Sequence, residues 1–132
     1  MFTTITPNNP KTGKFTSQEN LTKWSGYIKE VAAQNNAVCL DINAVLRKIY
    51  FYDEALGQET EEKGVESNNQ YFLSPAAMER FNEYPISDSM KETAATYGDW
   101  THVNEDGANL IAGVIAEELS KSESPLAHYV LK

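Results

Sequence analysis

The residues with the clearest chemical potential lie late in the chain, in Gly98-Asp99-Trp100-Thr101-His102, where a carboxylate stands three residues before a histidine. On a single turn, side chains at i and i+3 meet, so Asp99 can accept a hydrogen bond from one ring nitrogen of His102. The other nitrogen then faces outward as a base. This is the orienter-and-base pair of a hydrolytic triad: the carboxylate fixes the imidazole tautomer and stabilises the imidazolium formed by proton transfer. The spacing alone is common, and a surface turn accounts for most such pairs. Its position at a loop-to-helix junction adds weight, because catalytic groups gather on loops held by a scaffold. Trp100, between the two, can stack on a sugar ring or pack the loop against the body.

The other reactive types offer less. None of the serines stands in a Gly-x-Ser-x-Gly elbow or a Gly-Asp-Ser context, and Ser25, in Trp24-Ser25-Gly26, falls in the middle of an expected helix. Cys39, the single cysteine, sits in the apolar run Ala37-Val38-Cys39-Leu40, where a thiol is inert, and it has no partner for an internal disulfide. Asp41 interrupts the same run; at a strand end it caps or hydrogen-bonds the following turn. His128 has no acid close to it in sequence and is read as a surface or packing residue. Two histidines do not make a histidine-rich metal site, calcium-loop spacing is absent, and no bound metal is expected.

These residues need a frame. The opening 2–6 is β-branched and aromatic and stops at Pro7-Asn8-Asn9-Pro10, which predicts a strand and a loop. Thr16 and Glu19 stand in capping-box spacing, and Leu21, Trp24, Ile28, Val31 and Ala32 then recur on one helical face to about Gln34. Asn35-Asn36 can end that helix, and 37–42 reads as a buried parallel strand. Asn43 can cap a second helix with Val45, Leu46, Ile49, Tyr52 and Leu56 on one side, ended by Gly57. Segment 58–98 reads as a surface insertion, with a short helix after Ser74-Pro75. The last helix starts after Asn104, with Glu105 and Asp106 in its first turn and an apolar stripe of Ala108, Ile111, Ala112, Ile115 and Leu119.

Strands alternating with helices argue for one α/β domain over 1–132, with right-handed crossovers. Two strands make an incomplete parallel sheet, and its exposed edges invite pairing with an upstream segment, a partner or a second copy. With 19 acidic against 11 basic residues, the net charge of −8 repels a phosphate backbone, so nucleic acid is not an expected partner. No apolar run approaches the ~20 residues that cross a bilayer, and 1–10 has no secretory pattern, so a soluble chain without membrane contact or export signal is expected.

The block from Asp99 through Asn104-Glu105-Asp106-Gly107-Ala108 into Leu110-Ile111-Ala112 resembles the last conserved block of the SGNH (GDSL) hydrolases. Thr4-Ile5-Thr6-Pro7, 27–32, 38–42 and 52–57, in order, resemble the rhamnogalacturonan acetylesterase branch. The resemblance implies a three-layer αβα, flavodoxin-like fold, with His102 as general base and Asp99 as its partner. It implies an acetylated polysaccharide or oligosaccharide as substrate, no cofactor, and an extracellular or periplasmic setting. The family's Gly-Asp-Ser turn, oxyanion-hole glycine and Gly-x-Asn-Asp asparagine have no counterpart here; they normally precede the strand with which this chain begins. Oxyanion donors contribute about 3 to 4 kcal/mol each, so the isolated chain is expected to be inactive. The alternative is a non-catalytic module that binds carbohydrate or another chain, with the sheet edges as its interface.

Overall fold

The computed structural model describes residues 1–7, 16–73 and 99–130. The opening segment forms β1 (Phe2–Thr3), shorter than its composition suggests, and β1 pairs in parallel with β2 (Cys39–Leu40), Phe2 opposite Cys39 and Thr3 opposite Leu40. Backbone bonds from Phe2 N–H to Val38 O (2.8 Å) and from Thr4 N–H to Leu40 O (3.1 Å) extend the pair beyond those residues. Parallel strands need a long crossover, and α1 (Thr16–Gln34) lies within it. The helix ends as expected at Asn35-Asn36: Asn36 adopts a left-handed φ of 49°, and Ala37 N–H returns to Ala32 O at 2.9 Å.

After β2 comes α2 (Ile42–Phe51), which starts two residues earlier than a cap at Asn43 would place it. The cap is Asp41, whose Oδ1 accepts the Ala44 N–H at 3.3 Å. Asn43 is instead buried inside the helix, its Nδ2 donating to Ile5 O at 2.9 Å. The helix also stops earlier than its apolar spacing implies. Asp53 Oδ1 accepts the Ala55 and Leu56 N–H groups at 2.8 and 3.2 Å, and Gly57 adopts φ 66°. This side-chain turn converts the helix tail into a hairpin of β3 (Tyr52–Asp53) and β4 (Gln58–Glu59).

Segment 58–73 is not a structureless insertion. Thr60 caps α3 (Glu61–Tyr71) by accepting the Lys63 N–H at 3.1 Å, with Glu61 and Glu62 in the first turn. β5 (Phe72–Leu73) follows and pairs antiparallel with β6 (Asp99–Val103), which leads into α4 (Glu105–Lys121) and a terminal 3-10 helix, Pro125–Tyr129. The rest of the expected insertion, 74–98, with its short helix, lies outside the described residues. The class is mixed α/β; among the described residues the strands form three separate two-stranded sheets, one of them parallel.

The core sits on α2. Leu40, Ile42, Leu46, Tyr50, Phe51, Phe72 and Val114 are buried together, with Val38, Leu110, Ile111, Ile115 and Leu119 packed around them. Burial on α4 therefore runs along Leu110, Ile111, Val114 and Ile115, while Ala108 and Ala112 of the expected stripe are exposed. Val38 and Leu40 face α2 and α4, and Asp41 reaches α1. On α1, from residue 18 onward, Gln18, Ser25 and Ala32 are buried; Trp24 and Val31, expected on the inner face, are exposed. The side of α1 turned to the body carries Gln18, Ser25 and Ala32, with Leu21 and Ile28 half-buried along its edge.

Tyr50 is enclosed by Tyr71, Phe72 and Phe51, and its hydroxyl has no hydrogen-bond partner among the described residues. Burial, with a smaller contribution from Tyr71, pushes its pKa up to about 12. An enclosed hydroxyl without a partner is a standing desolvation cost, so Tyr50→Phe is expected to stabilise the fold by about 1 kcal/mol. An unchanged or lower urea midpoint would show that the hydroxyl is satisfied.

Candidate functional site

The helix start next to His102 is held from three directions. Asn104 caps α4, its Oδ1 accepting the Gly107 N–H at 2.9 Å, while its Nδ2 donates to Gln70 O at 2.8 Å and Phe72 O at 3.3 Å. The Asn104 N–H also donates to Tyr71 O at 3.0 Å. One asparagine thus ties the end of α3 and the β5 backbone to the first turn of α4. Gly107 completes the contact, because a Cβ there would collide with the Tyr71 carbonyl and lie 2.8 Å from Val103 Cβ.

That collision makes the two glycines of α4 opposites. Replacing a helical glycine with alanine normally stabilises by about 0.5 to 1 kcal/mol, and Gly113 has nothing within 4 Å of a built Cβ. Gly113→Ala is therefore expected to raise the melting temperature. Gly107→Ala is expected to lose about 1 to 3 kcal/mol, because the obstacle is backbone and not a flexible side chain. Equal shifts in the two variants, read by thermal denaturation, would contradict the close approach.

His102 is solvent-exposed and stands two residues before the cap. Its backbone belongs to β6, an extended strand, so the single-turn argument for its contact with Asp99 does not describe this segment. Phe72 pairs with Val103 and Leu73 with Asp99, so residues 100–102 stand between the two paired positions as an irregularity in the ladder. Such bulges re-aim side chains, and strict strand alternation does not apply here either. The side chains of Asp99 and Trp100 lie outside the described residues, and so does the question of their contacts.

Five of the described serines bond to backbone. Ser67, Ser120 and Ser122 hydroxyls donate to the carbonyls of Tyr50, Glu117 and Leu119, and Ser25 and Ser124 accept the N–H groups of Ile5 and Leu126. His128 is exposed in the terminal 3-10 helix. The Cys39 thiol is pushed up by burial and by the negative Asp41, which disfavours the thiolate.

A second polar centre, which sequence reading did not assemble, lies just beyond the carboxyl ends of β1 and β2. Thr4 Oγ1 accepts the Asn43 N–H at 2.8 Å and donates to Asp41 Oδ1 at 3.2 Å; Lys29 Nζ donates to Asp41 Oδ2 at 2.6 Å. Beside them Arg47 grips Glu59 with Nε at 2.8 and 2.9 Å and Nη2 at 2.6 Å, and its Nη1 reaches Thr22 Oγ1 at 2.8 Å. Thr22, Lys29, Asp41, Asn43, Arg47 and Glu59 line a cleft of about 340 Å³. Each charge has an opposite partner, so the arrangement ties α1, α2 and β4 together. Among the described residues no group of three or more metal-ligating side chains converges, and no helix is long and apolar enough to span a membrane.

For Asp41, burial pushes the carboxyl up, but Lys29, the Ala44 N–H and the Thr4 hydroxyl together hold it below its ordinary value. Lys29 is raised by its bond to Asp41. A depressed carboxylate stabilises the fold above its unfolded value of about pH 4 and loses that contribution as pH falls through the lower folded value. The raised lysine loses its share only in strong alkali. Asp41→Asn retains the capping oxygen while removing the charge, so it is expected to reduce stability at neutral pH and to match the parent once acid has protonated the folded carboxyl. A deficit that persists in acid would place the effect in packing.

No protein-family model, curated protein or solved structure matches the chain.

Proposed function

We propose that this chain is the C-terminal part of an SGNH-type carbohydrate esterase, whose complete form removes O-acetyl groups from a pectic polysaccharide such as rhamnogalacturonan. What carries the reading is the exposed His102 two residues before a helix start pinned by Asn104 and Gly107, within a block that resembles the family's last one. The parallel β1–β2 pair with a helix in its crossover, and the packing of Val38 and Leu40 against α2 and α4 while Asp41 reaches α1, support a three-layer αβα arrangement of flavodoxin type.

In this reading His102 removes the proton from a serine hydroxyl as its oxygen attacks the acetyl carbon, and Asp99 stabilises the imidazolium. The proton then passes to the departing sugar oxygen, and water hydrolyses the acetyl-serine by the same path in reverse roles. No cofactor is involved. The serine and the oxyanion donors belong to a Gly-Asp-Ser segment outside these 132 residues. An extracellular or periplasmic setting, where such polysaccharides occur, belongs to the same proposal.

The test is a fusion of this chain behind an SGNH N-terminal half that carries Gly-Asp-Ser. The folded fusion is expected to release acetate from acetylated rhamnogalacturonan oligosaccharides, and the isolated chain to take no fluorophosphonate label. A folded fusion that releases no acetate, or a labelled serine in the chain alone, counts against the proposal. One observation favours the alternative of a binding module: Trp24 and Tyr27 meet edge to face, 5.6 Å apart, on the exposed side of α1.

A further inference from the structure

Helix α1 is apolar on the side turned away from the body. Trp24, Tyr27 and Val31, spaced i, i+3 and i+7 and therefore on one stripe, are 60%, 44% and 46% exposed. The opposite side is in use: Ser25 and Ala32 are buried, and Thr22 and Lys29 bond to α2 and its cap. A surface helix normally turns charged groups outward, and an apolar stripe there marks an interaction site.

The flanks of the stripe indicate its occupant. Asn20 and Gln34 stand at its two ends, while Lys23 and Glu30 stand along one flank, all exposed. Place a second α1 antiparallel across it, with the two-fold axis through Tyr27. Tyr27 then meets its own copy, Trp24 lies beside Val31 of the second copy, Asn20 faces Gln34, and Lys23 faces Glu30, twice over. Parallel packing would instead set this flank against the opposite one, which carries Leu21 and Ile28, and leave Lys23 and Glu30 without reciprocal partners. An isologous interface requires this kind of self-complementarity.

We propose that this chain forms a two-fold dimer through the Trp24, Tyr27 and Val31 stripe of α1, with reciprocal Lys23–Glu30 pairs fixing the antiparallel direction. One helix face is a small interface, and two copies that each carry −8 repel, so the dimer is weak and reversible. The inference is independent of the esterase reading and places association on α1 and not on the open edge of β1.

Sedimentation of the full chain over a concentration series tests it. A monomer–dimer equilibrium is expected. Lys23→Glu should weaken it about tenfold, by replacing two attractive pairs with two repulsive ones, and Lys23→Glu with Glu30→Lys should restore it. Tyr27→Lys should leave monomer. The charge exchange alters no apolar contact, so it remains readable even if Tyr27→Lys folds poorly. Monomer at every concentration up to about 1 mM, the weak limit of specific association, would overturn the proposal. So would an oligomer that ignores all three variants, the outcome expected of strand-edge pairing.

Discussion

His102→Ala, made in the fusion that supplies the serine, is expected to lower kcat for acetyl release by about 10⁶-fold while leaving KM nearly unchanged. The base acts on the proton that moves in the transition state, so its loss is felt in the chemical step and not in ground-state binding. Asp99→Asn should lose less than His102→Ala, because the imidazole remains and only its tautomer and charge stabilisation suffer. Far-UV circular dichroism of the variant checks that the fold is retained, so that the loss is read in the chemical step. A loss of less than about tenfold, with the fusion active, would remove His102 from the role of base and leave the surrounding block as architecture.

How much of this was legible beforehand depends on what kind of residue carried each feature. The parallel pair was readable because 37–42 is apolar, and the end of α1 because Asn35-Asn36 favours a left-handed turn. The start of α4 was readable from Asn104, Glu105 and Asp106. Helix α3 was not, because the face it buries is made of Gly64, Ser67 and Asn68 and leaves no apolar period. The β3–β4 hairpin was hidden for the opposite reason: Leu56 continues the helical spacing of α2, and a side-chain turn at Asp53 overrides it. On α1, periodicity placed Leu21, Trp24, Ile28, Val31 and Ala32 on one inner face, but Ala32 is buried, Leu21 and Ile28 are half-buried, and Trp24 and Val31 are exposed, because the body packs on one edge of that face.

The sites divide in the same way. An exposed histidine beside a capped helix could be expected from local sequence, whereas Arg47 and Glu59, brought together by the hairpin, had no spacing rule to announce them. Asp41 was recognisable as a strand-end cap, but its lysine partner comes from across the β1–β2 crossover. Local chemistry is written in neighbouring residues, and networks that join elements are fixed only when those elements pack.

That packing converges on α2, which makes Phe51→Ala the most damaging substitution expected for the fold, at about 3 to 5 kcal/mol. Phe51 is 0% exposed and meets Tyr50 edge to face with ring centroids 6.3 Å apart. Its carbonyl accepts the Thr60 N–H at 2.8 Å, and Thr60 in turn caps α3. Removing the ring leaves a cavity where α2 joins the hairpin and α3, and α3 is the element that holds the start of α4 beside His102. A domain of this size has only about 5 to 15 kcal/mol in total, so the variant should be largely unfolded at modest urea or, where folded, should lose the α4 junction first. Urea titration followed by far-UV circular dichroism measures the first, and amide exchange at Gly107 measures the second. Trp24→Ala, an equally large truncation on the exposed side of α1, is the control and should shift stability little. If the two variants lose similar stability, the weight of the core is not on α2, and the route from Phe51 through α3 to His102 is not what holds the candidate site in place.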